Sequence, residues 1–425
     1  MFKKVWNYGR KDSMIRDSFS LFAATMVVNF GAFLFHLIIA RLLGLSSYGV
    51  LGVLLAIVYI INVSVNVIQT TITKFVSEFK TNGEEGKINS LVLKSSKKLI
   101  LYAFVVFVLT ILISPMMANF LKMSIMNILL LSPIILFAAL LPIVRGMFQG
   151  LQKFNLLSLN LYSEIAIKLG LGVLLVYLGM QVNGAILAIT LSFLFPIIIA
   201  FVPLKKYLKR TKDLLDTKKI YSYSYPVLVA ILFLTIMFSI DIILVKHFFE
   251  ERVAGFYAAV ALIGKVIFFA TLPISLVMFP KSVEKSTQKK STTALLKKGV
   301  FLVSLVAIPV TLVYFLFPEF TLKLLFGNES ISIYNTLGYN IVFLFGIALS
   351  LYSFNYLFMI YNLSINRIRF IYPIILLTLA EIVSIYLFHN SLLQVVLILN
   401  SVLLLLFAYM IIFTIKSVKW SDCQS

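Results

Sequence analysis

Long apolar runs, separated by short polar segments, make up most of this chain. A helix needs about 20 apolar residues to cross the hydrocarbon layer of a bilayer, and most of these runs have that length. The pattern therefore predicts twelve membrane-spanning helices, and Pro133 and Pro142 make the fourth the least regular. The predicted bounds are 18–40, 47–70, 99–121, 126–148, 156–178, 184–204, 224–246, 255–279, 299–317, 335–360, 370–388 and 391–415.

The composition excludes a water-soluble globular protein. Of the 425 residues, 61% are hydrophobic and 12% are charged, and the mean hydropathy is +1.03. A soluble domain usually has about 45–50% apolar and 25% charged residues. Twelve spans leave room only for short loops, so we predict an all-α integral membrane protein without a large extramembrane domain. Cys423 is the only cysteine, which excludes an intrachain disulfide.

The net charge of +21 is distributed as in a membrane protein and does not suggest binding to nucleic acid. If the N-terminus is cytoplasmic, 30 of the 37 lysines and arginines fall in inner segments and 5 in outer segments. Short cytoplasmic loops of membrane proteins carry such an excess of positive charge. We therefore predict a multi-pass protein of the cytoplasmic (inner) cell membrane with both termini in the cytoplasm. The first apolar run lacks a small-residue cleavage site, so we interpret it as a retained span.

The two halves of the chain resemble each other. Four short features of the first half recur in the same order in the second: 38–51 and 242–257, 76–78 and 282–284, 114–115 and 317–318, 163–165 and 380–382. Because six spans separate equivalent features, we predict parallel repeats related by a pseudo-two-fold axis along the membrane normal. The predicted organisation is a six-helix lobe (1–204), a basic cytoplasmic linker (205–223) and a second six-helix lobe (224–425). Two such lobes facing a cleft are typical of alternating-access transporters.

Polar side chains form stripes along the first two predicted spans. In the first span, four polar residues including Asn29 and His36 fall within an arc of ~40°, calculated at 100° per residue. In the second span, Asn62, Asn66, Gln69 and a threonine fall within an arc of ~60°. These five named residues are candidates for lining a wet cavity. The alternative is hydrogen bonding between packed helices, which polar residues in spans often provide.

Acidic residues inside the predicted spans are candidates for ion coupling. A charge near the bilayer centre costs about 2.5–3.5 kcal/mol even on the lenient insertion scale, so its presence indicates a function. The candidates for coupling to Na⁺ or H⁺ are Asp241, Glu164 and Glu381. The alternatives are a structural pair of Glu164 with Lys168 one turn away, a contact of Asp241 with Lys246 or Arg41, and an inert, protonated Glu381.

Basic residues of the spans are candidates for binding a phosphate. Lys265 has no acidic partner within a turn or two of its own helix, so it is expected to face water or an anionic ligand. Arg41, Lys168 and Lys265 could together stabilise a diphosphate, because arginine contacts phosphate oxygens in pairs and lysine acts as a point charge. Arg41 and Arg145 lie at span ends, where snorkelling to the headgroups is the simpler explanation.

Several chemistries have no support in the sequence. The three histidines are scattered and do not form metal-ligand spacings. No GxxxxGK[ST] loop is present, so export driven by ATP is unsupported. The largest predicted outer segment, about 318–334, is too short for a glycosyl-transfer site, so we expect a transporter and not an enzyme.

Three stretches of sequence resemble one known family. They are Ala40-Arg41-Leu42-Leu43-Gly44 with Tyr48-Gly49, Arg145-Gly146-Met147-Phe148-Gln149-Gly150 continuing to Phe154, and Ser239-Ile240-Asp241 with Gly255-Phe256-Tyr257-Ala258-Ala259. Taken together, and in this order along the predicted spans, the three stretches are similar to those of O-antigen-type polysaccharide-biosynthesis flippases. These flippases belong to the multidrug/oligosaccharidyl-lipid/polysaccharide exporter superfamily. The resemblance covers essentially the whole chain and implies a two-lobed, MATE-like fold.

The resemblance implies a flippase that moves a prenyl-(di)phosphate-linked oligosaccharide from the inner to the outer leaflet. Its implied partners are the prenyl-linked glycan, membrane lipids and glycan-assembly enzymes, with no cofactor beyond Na⁺ or H⁺ coupling and no nucleic acid. In such families, cationic residues of the central cavity are thought to hold the phosphate. The motif match supports Arg41 in this role, whereas only the position within a span supports Lys168 and Lys265.

Three alternatives to a flippase are open at this point. A cation-coupled multidrug antiporter is one, although the first two spans lack the acidic residue that drug-exporting relatives often carry. A membrane glycan polymerase or ligase and a non-transporting scaffold for glycan enzymes are the others. Lipid II flippases of the superfamily usually have two more spans and several arginines in the first two spans, so a peptidoglycan precursor is disfavoured as the substrate.

Overall fold

A computed structural model describes residues 13–208, 217–288 and 290–422 of the chain. These residues are almost entirely helical, and none of them forms a strand. We number the helices in chain order: α1 Ser13–Thr81, α2 Glu85–Phe120, α3 Ile125–Leu131, α4 Ile134–Gly150, α5 Phe154–Leu175, α6 Gln181–Leu204, α7 Thr217–Met237, α8 Ile240–Phe248, α9 Glu251–Thr287, α10 Thr293–Leu316, α11 Pro318–Phe326, α12 Asn328–Leu337, α13 Ile341–Ser364, α14 Ile371–Leu387 and α15 Leu392–Asp422.

The predicted spans fall on these helices. Within the part of the chain that the structure describes, nine helical stretches are long and apolar enough to cross a membrane. Two of them, Ala24–Thr81 and Phe154–Leu204, are 58 and 51 residues long, and each covers two predicted spans. Ile371–Leu387 is a shorter apolar helix that coincides with the eleventh span. The all-helical membrane class is therefore confirmed, whereas the number of twelve spans and the internal symmetry stay predictions.

Glycines with a positive φ turn the chain inside the two longest helical stretches. Gly44 has a φ of 72° and Gly179 a φ of 89°, which residues with a Cβ atom rarely adopt. Gly44 lies between the first and second predicted spans, and Gly179 lies in a π-helical turn between the fifth and sixth. The apolar pattern and the backbone therefore agree on where these spans end.

Three predicted spans differ from the observed helices. The fourth is divided at Pro133 into α3 and α4, as its prolines suggested. The seventh, predicted as one run over 224–246, is divided at Phe238 and Ser239 into α7 and α8, although no proline or glycine lies there. The tenth begins at Ile341 and not at 335, because Gly338 ends α12 and the Asn340 side chain caps α13.

The chain divides into two compact units. Unit 1 contains residues up to 43 and residues 61–225, and unit 2 contains residues 44–60 and 226–425. The boundary after residue 225 falls beside the predicted linker 205–223. Residues 44–60, which contain the first half of the predicted second span, group with unit 2, whereas the predicted first lobe included them.

Close glycine contacts hold α4 against α1 within unit 1. A Cβ atom at Gly146 would lie 2.8 Å from the carbonyl oxygen of Gln69, and one at Gly150 would lie 2.8 Å from that of Thr73. Small residues four positions apart let two membrane helices approach this closely. The apolar core of this part of unit 1 includes Val76 and Met147, both fully buried. The family motif at 145–150 is therefore also a packing surface.

A second pair of glycines packs segment 44–60 against α9 within unit 2. A Cβ atom at Gly49 would lie 2.6 Å from the Cα atom of Gly255, and a Cβ atom at Gly255 would overlap the carbonyl oxygen of Leu45. Tyr48 is buried beside this contact, with its ring 5.2 Å from that of Phe326. The first and third family motifs thus meet inside unit 2.

Candidate functional site

A buried arginine organises the charged residues of unit 1. Arg145, on α4, is only 8% exposed. Its Nε donates a hydrogen bond to Oδ1 of Asn160 at 2.9 Å, and its Nη2 pairs with the carboxylate of Glu164, both on α5. Asn160 in turn donates from Nδ2 to the carbonyl oxygen of Pro196 on α6, at 2.8 Å. This network joins three helices and satisfies a charge inside the helix bundle.

The position of Arg145 corrects two expectations. Snorkelling to the headgroups was expected for this residue, but it is buried and paired. Glu164 was a candidate for ion coupling, with a structural pair to Lys168 as the alternative, but its ion pair is with Arg145. Lys168 is also attracted to Glu164 electrostatically. Nζ of Lys168 lies 4.7 Å from the centroid of the Phe35 ring, a cation–π contact. Spacing along one helix could not reveal a partner 19 residues away.

The polar stripes of the first two spans divide into exposed and packed residues. Asn29 and Asn66 are exposed, and Asn62 is half-buried. His36 is buried beside Phe35. Gln69 is half-buried, and its Nε2 donates to Oε1 of Gln149 on α4 at 3.1 Å, so at this position polarity serves helix packing.

Arg41 belongs to unit 1 and is exposed. Lys168 belongs to the same unit, whereas Lys265 belongs to unit 2.

A second group of buried charges lies inside unit 2. Asp241, in the first turn of α8, is 3% exposed, and its Oδ2 accepts a hydrogen bond from the hydroxyl of Tyr257 at 2.9 Å. Its other oxygen, Oδ1, has no hydrogen-bond partner among the described residues. The break between α7 and α8 directly precedes Asp241. A contact of Asp241 with Lys246 or Arg41 was the alternative to ion coupling; Nζ of Lys246 lies 3.3 Å from Oε1 of Glu251.

Lys265, on α9, supplies the positive charge of this group. Its side chain is 4% exposed, and its Nζ lies 4.2 Å from the ring centroid of Phe238 and 5.0 Å from that of Tyr59. The lysine and Asp241 attract each other electrostatically. A cavity of about 10 Å³, near the minimum that holds one water molecule, is lined by Asp241, Lys265 and Phe238 among others. Lys265 was expected to face water or an anion. The structure places it beside this small cavity and against the rings of Phe238 and Tyr59, which we call its aromatic cage.

Glu381, on α14, completes the group. It is fully buried, and neither of its carboxylate oxygens has a hydrogen-bond partner among the described residues. It interacts electrostatically with Asp241. Two carboxylates and one ammonium leave one negative charge uncompensated when all three are ionised, which is unfavourable in a dry interior. The group therefore has the composition of a site that takes up one further cation or proton. We call Asp241, Tyr257, Lys265 and Glu381 the unit 2 charge cluster.

Sequence reasoning missed Arg145 as a network centre and Tyr257 and Tyr59 as partners. Tyr257 belongs to a quoted family motif, so that motif was the one available signal. No cluster of three or more His, Cys, Asp or Glu side chains suited to a metal ion occurs within the described ranges.

Comparison with solved structures identifies the class of protein. The inward-facing conformation of a multidrug resistance MATE family transporter of the MOP superfamily matches with a TM-score of 0.76 at 12% identity, covering 93% of this chain and 95% of that one. The outward-facing conformation of such a transporter gives 0.70 at 13% identity, covering 96% and 97%. A eukaryotic MATE transporter gives 0.67 at 13% identity, covering 97% and 100%. The chain is a multi-pass membrane protein with the MATE transporter fold.

Sequence comparison narrows this class to a family. Residues 14–284 match the family described as polysaccharide biosynthesis protein, and the chain belongs to this family. An uncharacterized membrane protein of Methanocaldococcus jannaschii is 28% identical over 307 residues, which is 68% of this chain and 71% of the relative. The family suspected from the three motifs is confirmed.

Proposed function

We propose that the protein is a flippase that moves a prenyl-(di)phosphate-linked oligosaccharide from the cytoplasmic to the outer leaflet by alternating access. The observation that carries this proposal is membership of the polysaccharide biosynthesis family by a chain with a transporter fold. The substrate class is the one that the family resemblance implies: a polar glycan and a phosphate, joined to an apolar chain that remains in the bilayer. Glycan-assembly enzymes are the partners that would supply and consume such a substrate.

The phosphate-binding role is proposed for Arg41, Lys168 and Lys265. Lys168 and Lys265 are held over aromatic rings and each is attracted to a neighbouring carboxylate. A lysine held in this way can exchange the carboxylate for a phosphate, which offers the same kind of oxygen acceptor. Lys265 would become accessible to a phosphate only when its aromatic cage opens, so its role belongs to a different step of the transport cycle.

Ion coupling is proposed for the unit 2 charge cluster. Asp241 and Glu381 together present three oxygen atoms without hydrogen-bond donors among the described residues, and Na⁺ or H⁺ would compensate their excess negative charge. Glu164 is the weaker coupling candidate, because Arg145 already neutralises it.

The same cluster favours a second candidate function, a cation-coupled multidrug antiporter. The matching solved structures include multidrug transporters, and buried carboxylates suit exchange of a cation for a cationic drug. The two functions differ in the charge of the transported molecule, so measurements of lipid movement and of cationic-drug exchange together separate them.

The experiment measures leaflet-to-leaflet movement of a fluorescent prenyl-diphosphate oligosaccharide in proteoliposomes, with a membrane-impermeant quencher. We expect protein-dependent movement that falls about tenfold or more in Arg41→Ala and Lys168→Ala, because each loses a charge-assisted contact of about 1.5–3 kcal/mol. Lys323→Ala, which removes an exposed lysine of α11, is the matched control and should move lipid normally. Imposed Na⁺ and proton gradients identify the coupling ion, and Glu381→Gln should lose that dependence.

Movement that is unaffected by the variants would keep the flippase and reject the phosphate ligands. No movement of the lipid, together with exchange of a cationic drug, would establish the antiporter.

A further inference from the structure

A groove on unit 2 lies apart from the charge cluster and is not used by the proposed transport mechanism. It is formed by the first two turns of α10, the end of α13 near Phe358 and the end of α15 from Ile411 to Ile415. Its volume is about 620 Å³, within the ~300–1,000 Å³ range of small-molecule sites. These helix ends all lie beside segments predicted to face the cytoplasm, so the groove opens at one membrane surface.

The groove is apolar along its length and basic at its mouth. Val300, Phe301 and Ile411 are typical of its lining, and Phe301 is 66% exposed. The hydroxyl of Thr414 already accepts a hydrogen bond from Asn362 at 2.8 Å, and Thr293 pairs with Ser291. Lys297 is one of the residues that line the groove, and its side chain is exposed. The groove therefore suits a molecule with one long apolar chain and an anionic end.

Further exposed basic residues lie close in sequence to the helix segments that form this mouth. Lys290 and Lys298 are exposed near the start of α10, and Arg369 is exposed after the end of α13. The sequence contains no Asp or Glu between residues 285 and 318, and none between 330 and 380. Basic residues at a membrane surface attract anionic lipids, each contributing about 1 kcal/mol. Complementarity of charge thus selects among the lipids that could enter the groove.

We propose that this groove binds one anionic phospholipid, with an acyl chain along Val300, Phe301 and Ile411 and its phosphate at Lys297. The site would select the anionic lipid because the groove fixes the headgroup beside a lysine, whereas the rest of the surface contacts lipids only in passing. This proposal does not depend on the transported substrate, and its test reads lipid occupancy and not transport.

The test places a tryptophan in the groove and measures its quenching by lipids with brominated acyl chains. Phe301→Trp replaces one aromatic ring by another at an exposed position, in a chain whose native Trp6 and Trp420 are changed to phenylalanine. We expect brominated phosphatidylglycerol, diluted in unbrominated phosphatidylcholine, to quench at about fivefold lower mole fraction than brominated phosphatidylcholine, the factor equivalent to ~1 kcal/mol. Lys297→Gln should bring this ratio close to one.

Lys298→Gln is the matched control, because it removes the same charge one residue along the helix but outside the groove lining. It should retain most of the preference. Equal quenching by the two lipids would overturn the proposal. An equal loss of lipid preference in Lys297→Gln and Lys298→Gln would overturn it too, because it would indicate diffuse attraction of anionic lipids to the surface. Unbrominated lipids that compete for the groove relieve the quenching. If a polyprenyl phosphate does so at a lower concentration than phosphatidylglycerol, the groove binds a prenyl chain instead and the proposal is wrong.

Discussion

At the scale of single residues, the buried charges differ in how completely they are neutralised. Arg145 and Glu164 neutralise each other, and Asn160 fixes the arginine from a second direction. Both oxygens of Glu381 lack a hydrogen-bond donor among the described residues. Removing one member of a buried pair leaves the other charge unpaired, whereas removing an unpaired carboxylate relieves an existing cost.

The same substitution is therefore expected to act differently at these two glutamates. Glu164→Gln should lower the unfolding temperature in detergent by several degrees, because it costs about 2 kcal/mol to leave Arg145 without its counter-charge. Glu381→Gln should not lower it, because the amide of the same size carries no charge to bury. Thermal unfolding followed by tryptophan fluorescence, at one pH and without added Na⁺, compares both variants with the wild type. An equal loss at the two positions would contradict the assignment of their partners.

At the scale of helices, the sequence pattern predicts where the apolar segments lie better than how they are interrupted. The turns at Gly44 and Gly179 and the division at Pro133 follow from residue types whose backbone preferences are known. The division between α7 and α8 carries no such signal, because Phe238 and Ser239 are compatible with a continuous helix. Packing within unit 2, where both residues are buried, accompanies this break, and packing is not readable from a single apolar run.

The candidate site shows the same limit. The intramembrane charges Glu164, Lys168, Asp241, Lys265 and Glu381 were all identifiable, because a charge in an apolar run is conspicuous. Their partners were not, since the contacts of Asp241 with Tyr257 and of Glu164 with Arg145 join different helices. Spacing within one helix predicts only neighbours three or four residues apart.

Helix packing at Gly255, a glycine of the third family motif, gives a second prediction. Gly255→Ala should lower the unfolding temperature, because the added Cβ overlaps the backbone carbonyl of Leu45, and such overpacking costs about 1–3 kcal/mol. Gly170→Ala is the matched control: it lies within helix α5 with open space around it, so alanine should be neutral or slightly stabilising. Thermal unfolding in one detergent measures both. A loss of stability at Gly170 as large as that at Gly255 would show that flexibility, and not close approach, explains these glycines.

At the scale of the whole molecule, the distribution of charge predicts the orientation in the membrane. With 30 basic residues in the predicted inner segments and 5 in the outer ones, insertion in the opposite sense would place most of the basic segments on the outer side. The proposed flippase depends on this orientation, because the proposed movement is from the cytoplasmic to the outer leaflet. The lipid groove depends on it too, since its basic mouth would otherwise face the leaflet with less anionic lipid.

The single native cysteine makes the orientation measurable. Cys423 lies in the predicted cytoplasmic tail, so a membrane-impermeant maleimide should label it in inverted vesicles and not in intact cells. Ser332→Cys in a Cys423→Ser background should show the reverse, because Ser332 is exposed in the predicted outer segment 318–334. Labelling of Cys423 from outside would invert the topology, and the proposed direction of lipid movement and the leaflet assigned to the groove would be wrong together. Labelling of both positions from the same side would instead mean an even number of spans between them and not the predicted three, since an even number returns the chain to the side it left.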